Sequence, residues 1–236
     1  MTPQPLFPVE PVFETLPDGS HVMRVGDKRV PVQDGTPEQK AAAKEQLDRA
    51  MRMNIKVGEK PWLVKTAIAW LEGWVQPGMR VFEWGAGGST VWFAKKGCRV
   101  YTAEAKYEWF VAVNEALRDI SPRPLIVQTD ISEDFKTYAS AVRWLSGPPY
   151  DLIVIDGENG SRLACATNCL AHLRGPDSVL LLDNSGSAEH IDATNFLIPY
   201  FGQRLVFVGE VEQEGPVDIT ETSIFIQPKE EMIWVG

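Results

Sequence analysis

Cysteine is scarce in this chain: Cys98, Cys165 and Cys169 are its only three, and none belongs to a CxxC pair. That excludes a disulfide framework and a thiolate zinc site, so all three read as reduced packing residues, the last two on one predicted helix. Basic charge is also short, with 23 Lys and Arg against 32 Asp and Glu and a formal charge of −9. Such a chain is not drawn unaided to nucleic-acid phosphates or anionic lipid, so the expected partner is a small molecule, with no nucleic acid and no membrane. No apolar run approaches the ~20 residues that span a bilayer. The opening MTPQPLFPVEP has neither a basic nor an apolar leader segment, and the expected location is cytoplasmic. Histidine is limited to His21, His172 and His190.

What is present suits a globular protein. Its 236 residues, 44% apolar and 10% aromatic, can bury a sizeable core, and the length fits one domain with an elaboration. Residues 1–59 form the expected elaboration and 60–236 the main domain. Seven prolines and two turn signals, Pro17-Asp18-Gly19 and Gly26-Asp27, mark the first sixty residues. Short strands are expected at VFETL, HVMRV and KRVPV, then a helix over 37–53 with Thr36 as N-cap. A further helix is expected over 61–76, opened by Pro61 and stopped by Pro77-Gly78.

From Arg80 onward, short β-branched runs alternate with helical segments, the signature of a parallel sheet covered on both faces. The strands are RVFEW, RVYTAE, LIVQTD, YDLIVID, SVLLLDN, RLVFVGEV and TSIFIQP, and the helices fall near 89–96, 107–118, 133–145, 161–173 and 188–200. The last two strands are joined by EQEGPVD, too short for a crossover helix, so they are expected to pair as an antiparallel hairpin.

The strongest chemical signal is Glu83-Trp-Gly85-Ala-Gly87-Gly88-Ser89-Thr90, between a strand and a helix. Glycines there let backbone approach a ligand closely and leave a helix N-terminus facing it, the geometry of a nucleotide-like site; a tight strand-to-helix connection is the plainer reading. Glu104 ends the next strand, 21 residues after Glu83, where an acid can accept two ribose hydroxyls. Asp130, Asp156 and Asp183 close three more strands, so five acids are expected at one edge of the sheet.

FEWGAGGST, YTAE, QTDI, YDLIVIDG and LLLDNSG, in that order over about residues 60–228, resemble the class I S-adenosylmethionine-dependent methyltransferases. The resemblance implies a Rossmann-like α/β fold: a doubly wound, mostly parallel seven-stranded sheet ending in an antiparallel hairpin, here with a small N-terminal β/α elaboration. It implies that Glu83, Gly85, Gly87 and Ser89 hold the methionine portion of S-adenosylmethionine and that Glu104 holds the ribose. It also places Asp130 and Ile131 beside the adenine and Asp156 in the methionine and acceptor region. Ser89-Thr90 stands where many members have a third glycine. Residues 1–59 match no family motif and are expected to cover the acceptor site.

Two rival readings stay open. Gly85-x-Gly87-x-x-Thr90 with Glu104 loosely imitates a nicotinamide-dinucleotide oxidoreductase, although Thr90 replaces the small packing residue and Glu83 has no role there. A protein of this fold that binds cofactor without turnover is the other, because no residue is unequivocally catalytic.

Transfer to an oxygen of a small molecule is the expected reaction, with nitrogen acceptors next. Asp156, Asp183 and Asn184 resemble the Mg²⁺-binding set of catechol-type O-methyltransferases, but Asn159 stands where those enzymes carry a lysine base. Asp183-Asn184 read equally as a helix cap. His190 is the best placed histidine to act as general base, or is an ordinary surface residue. Arg162 binds an acidic acceptor or neutralises nearby carboxylates. Trp84 and Trp109 are candidates to stack near the adenosine, whereas Trp62, Trp70, Trp74, Trp92 and Trp144 read as core. The ending MIWVG is expected to cover a sheet edge or to form a subunit contact, which would make a homodimer.

Overall fold

The computed structural model describes residues 55–129, 131, 135–145, 149–211 and 219–229, three N-terminal strands, and positions 45, 49 and 53. The chain divides into two compact units, Met1–Met53 with Gly236, and Asn54–Val235. In the first, strands β1 (Val12–Thr15), β2 (His21–Val25) and β3 (Lys28–Val32) form an antiparallel meander in which His21 pairs with both Thr15 and Val32. The helix expected over 37–53 lies mostly outside the described residues; Glu45, Arg49 and Met53 are helical and exposed.

The second unit is built on a seven-stranded sheet: β4 (Arg80–Trp84), β5 (Arg99–Glu104), β6 (Leu125–Gln128), β7 (Leu152–Ile155), β8 (Val179–Asp183), β9 (Phe201–Glu210) and β10 (Ile219–Pro228). Its order is β6-β5-β4-β7-β8-β10-β9, with β4 to β8 parallel and β10 antiparallel to both β8 and β9. This is the expected Rossmann-like sheet with its terminal hairpin; the EQEGPVD connection itself lies outside the described residues.

Two apolar layers follow from strand alternation. Val81, Val100, Leu152, Val154, Val179 and Leu181 face one way, against helices α1 (Lys65–Trp74), α2 (Gly88–Lys95) and α3 (Tyr107–Ala116). Phe82, Trp84, Ala103, Ile153, Ile155, Leu180 and Leu182 face the other way, against α4 (Lys136–Trp144), α5 (Arg162–Cys169) and α6 (Ile191–Leu197). β7 and β8 are buried along their whole length, as a central parallel strand must be when helices cover both faces. Cys98, Cys165 and Cys169 are free thiols packed in these layers. Among the described residues no helix is long and apolar enough to cross a membrane.

The helix expected from Pro61 begins later, at Lys65. Val64 is extended, bridging to Val211 and donating its N–H to the Thr222 hydroxyl at 3.3 Å, so Val64 is tied to the sheet and the helix starts beyond it. Trp62 is consequently 46% exposed instead of packed on a helical face.

Candidate active site

β4 is the point where the chain order reverses, since β5 lies on one side of it and β7 on the other. Crevices outside the carboxyl ends of parallel strands form at such points. Here a pocket of about 260 Å³ is lined by Gly85 to Ser89 after β4, Glu104 at the end of β5 and Lys106 beyond it, and Asp156 to Glu158 after β7, with Trp62, Trp109, Tyr138 and Arg162 completing the wall.

Backbone shape makes the crevice. Gly85 has φ +94°, and a Cβ there would lie 2.4 Å from the Asp156 carbonyl oxygen, so only glycine lets the β4 and β7 loops meet. A Cβ on Gly157 would lie 2.0 Å from the Tyr138 hydroxyl. The two loops and α4 therefore close on one another through the absence of side chains.

Glu104 ties the glycine-rich loop to the neighbouring strand. One carboxylate oxygen accepts the Ala86 N–H at 2.7 Å and the other accepts the Lys106 N–H at 2.6 Å. Burial raises its pKa, and the N–H groups of Lys106, Ala86 and Ala105 oppose that rise by favouring the ionised form.

Glu83 has a different place. It is fully buried under the loop, where its register partner Thr102 donates a hydroxyl at 3.2 Å and the Ser89 and Thr90 hydroxyls stand nearby. Burial raises its pKa from 4.5 to about 7, opposed by the neighbouring Ser89, Thr90 and Thr102 hydroxyls. It lies beneath the first turn of α2 and is not on the pocket wall, although the resemblance assigned it a direct cofactor contact.

At the β7 and β8 ends the central group is Arg162. Its guanidinium is buried, donating from Nη1 to the Ile155 carbonyl at 2.6 Å and from Nη2 to Asp156 Oδ1 at 3.2 Å and Asn184 Oδ1 at 3.3 Å. Burial raises the Asp156 pKa and Arg162 opposes it. Asp183 is buried with its carboxylate on the Thr222 hydroxyl at 2.5 Å; burial first, and then the Asp156 charge, push its pKa up to about 7.

Asp156, Asp183 and Asn184 were the expected Mg²⁺ ligands, and their arrangement does not fit that ion. A guanidinium already holds Asp156 Oδ1 and Asn184 Oδ1, Asp183 is turned to β10, and Asn184 gives its amide N–H to Thr220 at 2.9 Å. Among the described residues no group of three His, Cys, Asp or Glu side chains is placed to hold a metal.

Of the other expected site residues, Gly85, Gly87, Ser89, Glu104 and Asp156 line the pocket. Ile131 is 40% exposed and off the wall, and Asp130 lies outside the described residues. His190 is buried at the start of α6, its Nδ1 3.1 Å from the Asn184 carbonyl and its Nε2 without a partner among the described residues. Burial lowers its pKa, and it too is off the wall, so it does not face the pocket as a base. Trp84 is core, donating its indole N–H to the Tyr138 carbonyl at 2.9 Å. Trp109 is in the pocket, in edge-on contact with Trp62 at 5.5 Å between ring centroids. Trp62 and Tyr138 escaped the sequence reading because no spacing rule links them to the strand ends. Gly157 had a signal, standing directly after a strand-end acid.

No protein-family model matches the chain, and no curated protein matches it in sequence. Solved structures do. An O-methyltransferase from Bacillus cereus in complex with SAH is 16% identical with a TM-score of 0.53, over 83% of this chain and 92% of that one. The O-methyltransferase TomG from Streptomyces achromogenes, in complex with SAM, is 16% identical with a TM-score of 0.51 over the same shares, 83% and 92%. A precorrin 8w decarboxylase from Methanobacterium thermoautotrophicum is 14% identical with a TM-score of 0.51, over 73% of this chain and 98% of that one. The chain has the fold of the class I S-adenosylmethionine-dependent methyltransferases.

Proposed function

We propose that the chain is an S-adenosylmethionine-dependent methyltransferase that acts on an oxygen of a small molecule. The observation that carries the donor assignment is the joint formed by Glu104 and the Gly85–Gly88 turn at the switch point of the sheet. The residues suit that donor. The α2 N-terminus and the glycine backbone suit a carboxylate-bearing end, the buried acid at the β5 end suits ribose hydroxyls, and Trp62 and Trp109 offer aromatic surface for a base.

When bound, S-adenosylmethionine supplies an electrophilic methyl group on a sulfonium sulfur. Transfer of that group asks the protein chiefly for an in-line approach in an oriented site from which water is excluded. Tyr138 and the Gly85 and Gly157 backbones pack closely at the pocket wall. Asp156 is the carboxylate on the β7 side of the wall, and Arg162 fixes its orientation. Where an acceptor hydroxyl must give up a proton, Asp156 is the group placed to hold it. The oxygen acceptor draws support from the similar O-methyltransferases of B. cereus and S. achromogenes.

The test is calorimetric titration of the full chain with S-adenosylhomocysteine, with NAD⁺ and NADP⁺ as controls. Micromolar binding is expected, weakened about tenfold or more in Glu104→Ala, which deletes a charge-assisted acceptor worth roughly 1.5–3 kcal/mol. Binding of a dinucleotide without adenosylhomocysteine binding would transfer the assignment to an oxidoreductase.

A further inference from the structure

The cluster at the ends of β7 and β8 holds one carboxylate, Asp156, and one amide oxygen, Asn184, on a single buried guanidinium, with the Asp183 carboxylate beside them on Thr222 and under the influence of the same positive charge. Oxygen donors of this kind suit a hard divalent cation, and two acids whose charges oppose each other call for positive charge between them. The chain supplies that charge covalently. Arg162 is the first residue of α5, and its side chain runs back to the β7 end, where the Ile155 carbonyl, Asp156 and Asn184 all accept from it. Bringing a divalent ion to Asp156 Oδ1 and Asn184 Oδ1 together would require expelling the guanidinium of Arg162, a residue 3% exposed, and leaving the Ile155 carbonyl without its donor.

We propose that Arg162 is an internal cation standing in the place of a divalent metal at Asp156, Asp183 and Asn184, so that this site works without metal. Arg162 is then a positioning residue that holds the Asp156 carboxylate on the pocket wall. The charge arrangement is independent of the methyl-transfer reading; the consequence for Asp156 rests on it.

Divalent binding to the full chain, read with Mn²⁺ by calorimetry and by electron paramagnetic resonance, tests the inference without reference to activity. Wild type is expected to show no Mn²⁺ binding at this cluster. Arg162→Ala, which leaves the acids uncompensated, is expected to gain a Mn²⁺ site at least about tenfold tighter than the detection limit at which wild type shows none, with the gain lost again in Arg162→Ala/Asp156→Asn. Arg162→Lys keeps the charge and is expected to behave as wild type. Should Arg162→Ala fail to fold by circular dichroism, Arg162→Gln, which keeps a donor for the Ile155 carbonyl, carries the same expectation.

Mn²⁺ binding by wild type that disappears in Asp156→Asn would overturn the proposal. So would a folded neutral variant with no gain in Mn²⁺ affinity. S-adenosylhomocysteine titrated into the same samples separates the two readings: if it fails to bind while the Mn²⁺ pattern holds, the methyltransferase assignment falls and the internal cation stands.

Discussion

Glu83 shows how one side chain couples the loop to proton binding. Its pKa is raised from 4.5 to about 7 because burial disfavours the charged form. Between those values the folded protein holds the proton more tightly than the unfolded chain, so stability falls as pH rises through that window. Denaturant midpoints at pH 5 and pH 8 check this: wild type is expected to lose stability toward pH 8, and Glu83→Gln is expected to lose less. Gly85 is constrained by shape. Gly85→Ala places a Cβ 2.4 Å from the Asp156 carbonyl oxygen at φ +94°, and is expected to cost ~1–3 kcal/mol in the thermal or denaturant midpoint and to abolish adenosylhomocysteine binding. At this scale the sequence was legible where glycine and acid stand at a strand end. It was misleading at Glu83, where the same residue type serves the loop from beneath.

At the scale of elements, the strands from Arg80 onward were readable because parallel strands buried on both faces appear as short β-branched runs. Leu152 is fully buried at the start of β7, a central strand, in the layer with Val81 and Leu181. Leu152→Ala is expected to cost ~2–5 kcal/mol, read as a lower denaturant midpoint with an unchanged slope. The first helix of the second unit was misjudged at its start. Pro61 is an ordinary helix opener in sequence terms, but the bridge from Val64 to Val211 and the bond to Thr222 are contacts 147 and 158 residues apart, which local periodicity does not contain. The Trp62–Trp109 contact has the same origin.

For the whole molecule, both apolar layers and the pocket wall belong to Asn54–Val235. A chain cut to that unit is expected to unfold in one cooperative transition and to keep adenosylhomocysteine binding within about threefold of the full chain, since each residue assigned to the donor is retained; a mutational change below roughly 0.7 kcal/mol corresponds to that limit. A larger loss would show that residues 1–53 contribute to donor binding. The role over the acceptor expected of residues 1–59 would, so far as it lies in 1–53, instead appear as lost turnover with donor affinity intact.

By itself the sequence determined the alternation of strands and helices, the terminal hairpin, the glycine-rich turn and the row of strand-end acids. Each of these rests on local backbone preference or on a periodicity of a few residues. The tertiary structure decided which acids meet a ligand and which meet the protein. Glu104 and Asp156 reach the pocket, Glu83 and Asp183 turn into the body of the sheet, and Arg162 arrives from the next helix to take the oxygens that had read as metal ligands. Side-chain direction at a strand end depends on what packs above it, and that is set by residues far away along the chain.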